Sequence, residues 1–412
     1  MSELPVIIQG GMGAGVSGWR LARAVALVGQ LGVVSGVALD AILARRLQDG
    51  DRDGSVRRAL DRFPNRDMTD RILQKYFVAG GRKADAPYAS VPMHSAEANR
   101  ALVELCIVGN FVEVSLAREG HDNPIGINYL EKIQLPHLAS IYGAMLAGVA
   151  FVLMGAGIAT RIPGVLDGLA AHEPVSYELS VTGGNAMLHF APRELVDYAA
   201  PLTRPRFLPI VSSNVLATTM VKRSNGRVDG FIIEGDKAGG HNAPPRGKLQ
   251  LDESGQPVYG EKDQVDLEKI REIGLPFWLA GQQASAEKLR AAQAAGATGI
   301  QVGTAFAFCE ESGLAPEYRR RLLEKSARRE AVVFTDPQAS PTGFPFKVAR
   351  LEGTLSEREV YEMRRRVCDL GFLREAYRNA EGGIGYRCPS EPVDTYVAKG
   401  GDLANAVGRK CL

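Results

Sequence analysis

Three short stretches bring together residue types that can do chemistry. The first is Gly10-Gly11-Met12-Gly13-Ala14-Gly15, which follows the apolar run PVIIQ and precedes a helical pattern. Glycines there let the backbone close a tight turn or lie against a flat ring. The looser spacing Gly13-Ala14-Gly15-Val16-Ser17-Gly18 only partly meets a dinucleotide fingerprint, and no acidic residue closes the next strand, GVVSG, to hold a ribose. The second is GDKAGGHNAPPRG, in which Gly239 and Gly240 precede His241. A neutral imidazole with an ordinary pKa of about 6.5 can take a carbon-bound proton at neutral pH. The third is a pair of corners, Gly281-Gln282 in WLAGQQ and Gly303-Thr304 in IQVGTAF, one helix length apart. Glycine corners after the last two strands of a barrel are where backbone N–H groups gather a phosphate.

These stretches sit at the ends of short β-branched runs, predicted as strands over 5–10, 32–36, 124–130, 149–154, 207–212, 228–234, 276–280 and 299–303. Amphipathic helical patterns lie between them, as at 18–30, 214–223 and 285–295. Eight βα units in series predict a (β/α)8 TIM barrel, the runner-up being a doubly wound sheet with GGMGAG as a nucleotide turn. Residues 39–108 carry charged helical patterns without a convincing strand and read as a helical insertion after strand two. Residues 1–312 then form the barrel with its insertion, and 313–412 a helical C-terminal extension.

With 49 basic and 47 acidic residues among 412, the net charge of +2 offers nothing to nucleic acid or an anionic membrane. The uncharged stretch 138–160 is long enough to span a bilayer, but it divides into a buried helix ending at Gly148 and a buried strand, so no membrane span is expected. The apolar run beginning at Pro5 leaves no room for a signal peptide. Five scattered cysteines without a CxxC pair argue against a disulfide framework or a zinc ribbon and fit a reducing, cytoplasmic setting. No metal-ligand spacing is present, and Cys309 and Cys388 read as incidental thiols rather than nucleophiles.

Taken jointly, IIQGGMGAGVSG, FIIEGDKAGGHNAPPRG and LAGQQASAEKLRAAQAAGATGIQVGTAFAFCEES make the chain resemble the nitronate monooxygenases, formerly 2-nitropropane dioxygenases, which share a flavin barrel with FMN-dependent enoyl-acyl-carrier-protein reductases. The resemblance implies FMN as cofactor, with Gly11, Met12 and Gly13 against the isoalloxazine and Asn128 near its polar edge. It implies further that Ser213 touches the ring or phosphate region and that Gly239 and Gly240 border the cofactor. Gly281, Gln282, Gly303 and Thr304 would hold the phosphate, and His241 would be the base or substrate-orienting group. The chain departs from the family at Gly10-Gly11, where Ala-Pro usually precedes Met, at Gln282-Gln283, and in the Pro-rich NAPPRG after His241.

The implied activity is oxidation of a nitroalkane or nitronate with O2. The alternatives are an NAD(P)H-dependent reductase of enoyl thioesters and a flavin-binding partner subunit without chemistry. In the first two the partner is a small molecule, and the long C-terminal region is compatible with a homodimer.

Overall fold

Runs such as GVVS, FVLMG and FIIE are buried on both faces, as strands of a parallel sheet covered by helices must be. The computed structural model describes residues 4–197, 200–365 and 367–411. Eight parallel strands form its centre: β1 (Ile7–Gln9), β2 (Gly32–Ser35), β3 (Ile125–Leu130), β4 (Phe151–Gly155), β5 (Arg206–Val211), β6 (Phe231–Glu234), β7 (Phe277–Ala280) and β8 (Gly299–Val302). Each pairs with its sequence neighbour from β2 through to β8, and β8 pairs with β1. The ring closes where Gln9 N donates to Leu31 O at 2.9 Å and Leu31 N donates to Ile7 O at 3.1 Å. The result is a (β/α)8 barrel, and every strand expected from the sequence is present.

Inside the barrel, Ile8, Leu31, Val33, Phe151, Leu153, Leu208, Ile232, Trp278 and Ala280 pack as one cluster. Trp278 Nε1 donates to Pro5 O at 2.7 Å, which satisfies the indole at the N-terminal end of the ring. Partners in register share a face, so Asn128 beside Leu153, and Glu234 and Gln301 beside Ala280, turn inward at the opposite, C-terminal end. A polar mouth therefore caps an apolar plug.

The insertion supplies helices Leu39–Gln48, Ser55–Leu60 and Arg66–Tyr76. Its last helix, Arg100–Ala117, continues past the expected boundary and covers the barrel between helices Trp19–Leu27 and His137–Leu146. Buried Glu113 on that helix accepts from Trp19 N at 2.8 Å and from Arg46, and so ties down the start of the helix that follows the first glycine loop. Helix His137–Leu146 ends before Gly148, and β4 follows, as the division of 138–160 required. Among the described residues no helix is long and apolar enough to cross a membrane.

Two features differ from expectation. An antiparallel hairpin, Val175–Thr182 with Gly184–Phe190, lies between β4 and β5. The C-terminal extension carries helices, the longest being Pro316–Ala327, but strand pairs interleave them: Val333–Asp336 with Phe346–Ala349, and Glu375–Arg378 with Ile384–Arg387. The second pair joins the hairpin into a four-stranded sheet. The four strands of the C-terminal extension are four residues long each, too short for periodicity to separate them from helix.

Candidate functional site

The first glycine loop is folded by its own polar residues. Ser17 Oγ donates to Gly10 O at 3.1 Å and accepts from Met12 N at 3.0 Å and from Gln9 Nε2 at 3.0 Å. Ser35 Oγ donates to Gly13 O, and Gly13 takes a φ of 52°, which glycine adopts without strain. The loop lies hard against β3: a Cβ on Gly11 would stand 2.4 Å from Asn128 Cβ. From the neighbouring strand end at β8, a Cβ on Gly303 would meet Met12 Sδ at 3.7 Å. Gly11, Met12, Asn128 and Gly303 thus converge from β1, β3 and β8.

The remaining corners meet the same ring from β6, β7 and β8. Gly281 and Gln282 turn with φ of 98° and 52°, and a Cβ on Gly281 would fall 2.9 Å from Ala238 N. A Cβ on Gly239 would lie 3.9 Å from Thr304 Oγ1, with Thr304 opening the short helix Thr304–Ala307. Gly240, with φ of 73°, has open space where a side chain would project. Beneath Gly10, where a Cβ would come within 3.4 Å of Gln301 Nε2, Gln301 Oε1 is buried without a hydrogen-bond partner.

His241 follows these glycines, but its ring turns toward the C-terminal extension. Nε2 lies 2.7 Å from Ser340 Oγ, and the ring stands edge-on to Phe346 at 4.8 Å and to Phe344 at 6.4 Å. The backbone locks this contact: Asn242 N donates to Pro345 O at 2.8 Å and Lys347 N to Gly240 O at 2.9 Å. Burial pushes the imidazole down to about 4, below the ordinary value near 6.5 that suits proton abstraction at neutral pH.

A cavity of about 210 Å³ opens at the ends of β5 and β6, walled by Ser213, Glu234, Asn242, Arg246 and Tyr259 among others, without His241. Ser213 caps helix Asn214–Arg223 by accepting from Leu216 N at 3.1 Å. Asn242 is 2% exposed; its Nδ2 donates to Ala238 O at 3.2 Å and its Oδ1 has no partner. Glu234 ends β6 with its side chain enclosed by protein yet open to the cavity, and burial pushes its carboxyl up to about 8. Tyr259, whose O–H donates to Ala243 O at 3.0 Å, is pushed up to about 12 by burial and by Asp236, Asp263 and Glu234.

Sequence reasoning did not single out Ser340, Asn242, Tyr259 or Glu234. The signal for Glu234 was present, a carboxylate closing the apolar strand FIIE at the barrel's reactive end. Ser340 carried none, since 99 residues separate it from His241. The other histidines have packing partners: His94 meets Asp40 at 2.7 Å, His172 lies 2.9 Å from Tyr142 Oη, and His137 lies 3.0 Å from Leu130 O. Among the described residues the five cysteines are unpaired, and no group of three or more His, Cys, Asp or Glu is placed to hold a metal. Burial drives the Cys106 thiol far above its usual range, and Cys388 up to about 11.

The nitronate monooxygenase family model matches residues 205–340, which span β5 to β8, the His241 loop, the Gly281-Gln282 and Gly303-Thr304 corners and Ser340. The chain resembles the nitronate monooxygenases. A nitronate monooxygenase from Pseudomonas aeruginosa is 32% identical over 152 residues, 36% of this chain and 42% of that relative, so the match spans less than half of the relative's length. Among solved structures, FabK from Thermotoga maritima is 20% identical with a TM-score of 0.47 over 85% of this chain and 72% of its own. A nitroalkane oxidase from Streptomyces ansochromogenes is 18% identical with a TM-score of 0.43, over 84% and 76%. The N-terminal glycine loop lies outside the matched residues and meets them only in space, through Met12 and Gly303.

Proposed function

We propose that the chain is an FMN-dependent oxidoreductase of the nitronate monooxygenase type, oxidising nitroalkanes or nitronates with O2. The observation that carries it is the convergence of Gly11, Met12, Asn128, Gly239, Gly281, Gly303 and Thr304 on one barrel mouth, within a chain that resembles that family. The residues fit a flat ring bearing a phosphate. Gly240 leaves space where a side chain would stand, and Gln301 Oε1 offers an unpaired acceptor beneath Gly10.

In this proposal Gly11, Met12, Gly13 and Asn128 lie along the ring, Gly239 and Gly240 border it, and Gly281, Gln282, Gly303 and Thr304 hold the phosphate by backbone N–H groups and one hydroxyl. Ser213 stands at the cavity wall beside the ring's edge. When bound, the flavin supplies the exchange of electrons between substrate and O2. The chain positions the substrate and keeps water out. His241, neutral at pH 7 and held by Ser340, fixes the loop after β6 against the C-terminal extension at the edge of the mouth.

The test is direct. Purified protein should be yellow, or become so with FMN, and should consume O2 with nitroethane or ethyl nitronate. Protein that stays colourless in excess FMN overturns the proposal. Rapid anaerobic bleaching by NAD(P)H and reoxidation by an enoyl thioester, with no turnover of either nitro compound, would establish the reductase instead.

A further inference from the structure

We infer that Glu234, and not His241, is the base that takes the carbon-bound proton of a neutral nitroalkane, with the cavity at the ends of β5 and β6 as the place where that substrate sits. The inference rests on the proposed activity and deepens it. Three geometric observations carry it. The cavity is walled by Glu234 but not by His241. His241 Nε2 is taken by Ser340, and its ring is wedged against Phe344 and Phe346, so that its near surroundings belong to the C-terminal extension. Arg246 stands on the same cavity wall, a cation for the charge that the nitro group gains.

The groups facing Glu234 set its chemistry. Asp236 lies on its own loop, and Arg246, Tyr259 and Asp263 come from the 242–263 segment that closes the cavity; Ser212 and Ser213, from the end of β5, carry no charge. Arg246 is the cation among these, its Nη2 reaching Ser212 O at 3.4 Å, and it faces the negative charge that a nitro group gains as its carbon loses a proton. A base works best when its pKa lies near the operating pH. Glu234 at about 8 meets that condition, whereas His241 at about 4 is too weak a base for a carbon acid.

The step balances without an oxidant. The substrate C–H bond breaks, an O–H bond forms on the Glu234 carboxylate, and the electron pair moves into the nitro group to leave the nitronate. A preformed nitronate has already lost that proton and does not need Glu234.

Exchange of the α-protons of nitroethane into D2O, followed anaerobically by NMR on FMN-loaded protein, reads this step apart from oxidation. In Glu234→Gln, exchange should fall on the order of a hundredfold or more, while oxidation of ethyl nitronate and flavin content are retained. Glu234→Asp should recover part of the exchange. In wild type, exchange should rise with pH through about 8, in step with the infrared band of the protonated carboxyl, a band that Glu234→Gln lacks. Full exchange in Glu234→Gln, or equal loss on nitroethane and ethyl nitronate in a folded, flavin-loaded variant, overturns the assignment alone. Wild-type protein that takes up no FMN overturns the proposed activity and the assignment with it.

Discussion

His241 Nε2 and Ser340 Oγ lie 2.7 Å apart across 99 residues, joining the loop after β6 to the C-terminal extension. Ser340 is fully buried and also lies 2.7 Å from Thr342 Oγ1. Ser340→Ala strips a buried imidazole nitrogen of its partner, which costs about 1–3 kcal/mol. The denaturant midpoint should fall with the slope unchanged. A variant as stable as wild type would show that this contact does not hold the extension in place.

Acid should destabilise the fold earlier than carboxylate protonation alone would. Burial holds both His137 and His241 down to about 4, against an ordinary 6.5. Between those values the unfolded chain binds more protons than the folded one, so their contribution is whole above 6.5 and is lost as pH falls toward 4. Each histidine contributes a slope of up to about 1.4 kcal/mol per pH unit. Glu234 works in the opposite direction there, but two histidines outweigh one carboxyl. Urea unfolding from pH 7 to 4.5 should show stability declining; a flat profile would contradict the burial of these rings.

The barrel was legible because its strands are glycine-bounded apolar runs, as GVVS and FIIE show, separated by helices of ordinary length. The glycine corners were legible for the same reason, since Gly281 and Gly303 end such runs. The hairpin Val175–Thr182 alternates buried Tyr177, Leu179 and Val181 with exposed neighbours, a period-two signal hidden by the polar composition around it. The surroundings of His241 could not be read at all. Phe344, Phe346 and Ser340 reach it only through the pairing of two distant segments, and that pairing changes the proton affinity on which its assigned role depended.

Gly11 is required by its neighbour. A methyl group there would overlap Asn128 Cβ, and Asn128 cannot retreat because its strand is paired on both sides. Gly11→Ala should cost about 1–3 kcal/mol and weaken FMN binding. In an Asn128→Gly background the penalty should shrink, because the opposing carbon is gone. Equal penalties in both backgrounds would place the strain elsewhere.

Thr304→Ala tests the proposed phosphate site apart from the proposed ring site. If its hydroxyl donates to a flavin phosphate, Thr304→Ala loses one hydrogen bond to a charged group, about 1.5–3 kcal/mol, and FMN affinity falls on the order of tenfold or more. Riboflavin, which lacks the phosphate, should bind both proteins alike. Fluorescence titration with the two flavins decides the matter, and equal losses for both would remove Thr304 from the phosphate site.

Glu234 should destabilise the fold where it is most useful. Its folded carboxyl sits at about 8 against an ordinary 4.5, so between these values the folded state keeps a proton that the unfolded chain releases. Stability from this group therefore falls as pH rises, by up to about 1.4 kcal/mol per pH unit, and levels off above 8. Glu234→Gln keeps the shape of the protonated side chain and cannot ionise. Near pH 5 the variant should match wild type, and by pH 8 it should be the more stable of the two, the gap widening steadily between. Urea midpoints for both proteins at several pH values measure this without substrate or cofactor chemistry. A constant gap would mean that Glu234 is already ionised in the folded chain and could not titrate near neutral pH. A gap that widens would show the trade expected of a base held in a protein-walled cavity, in which stability is surrendered for a proton affinity matched to its task.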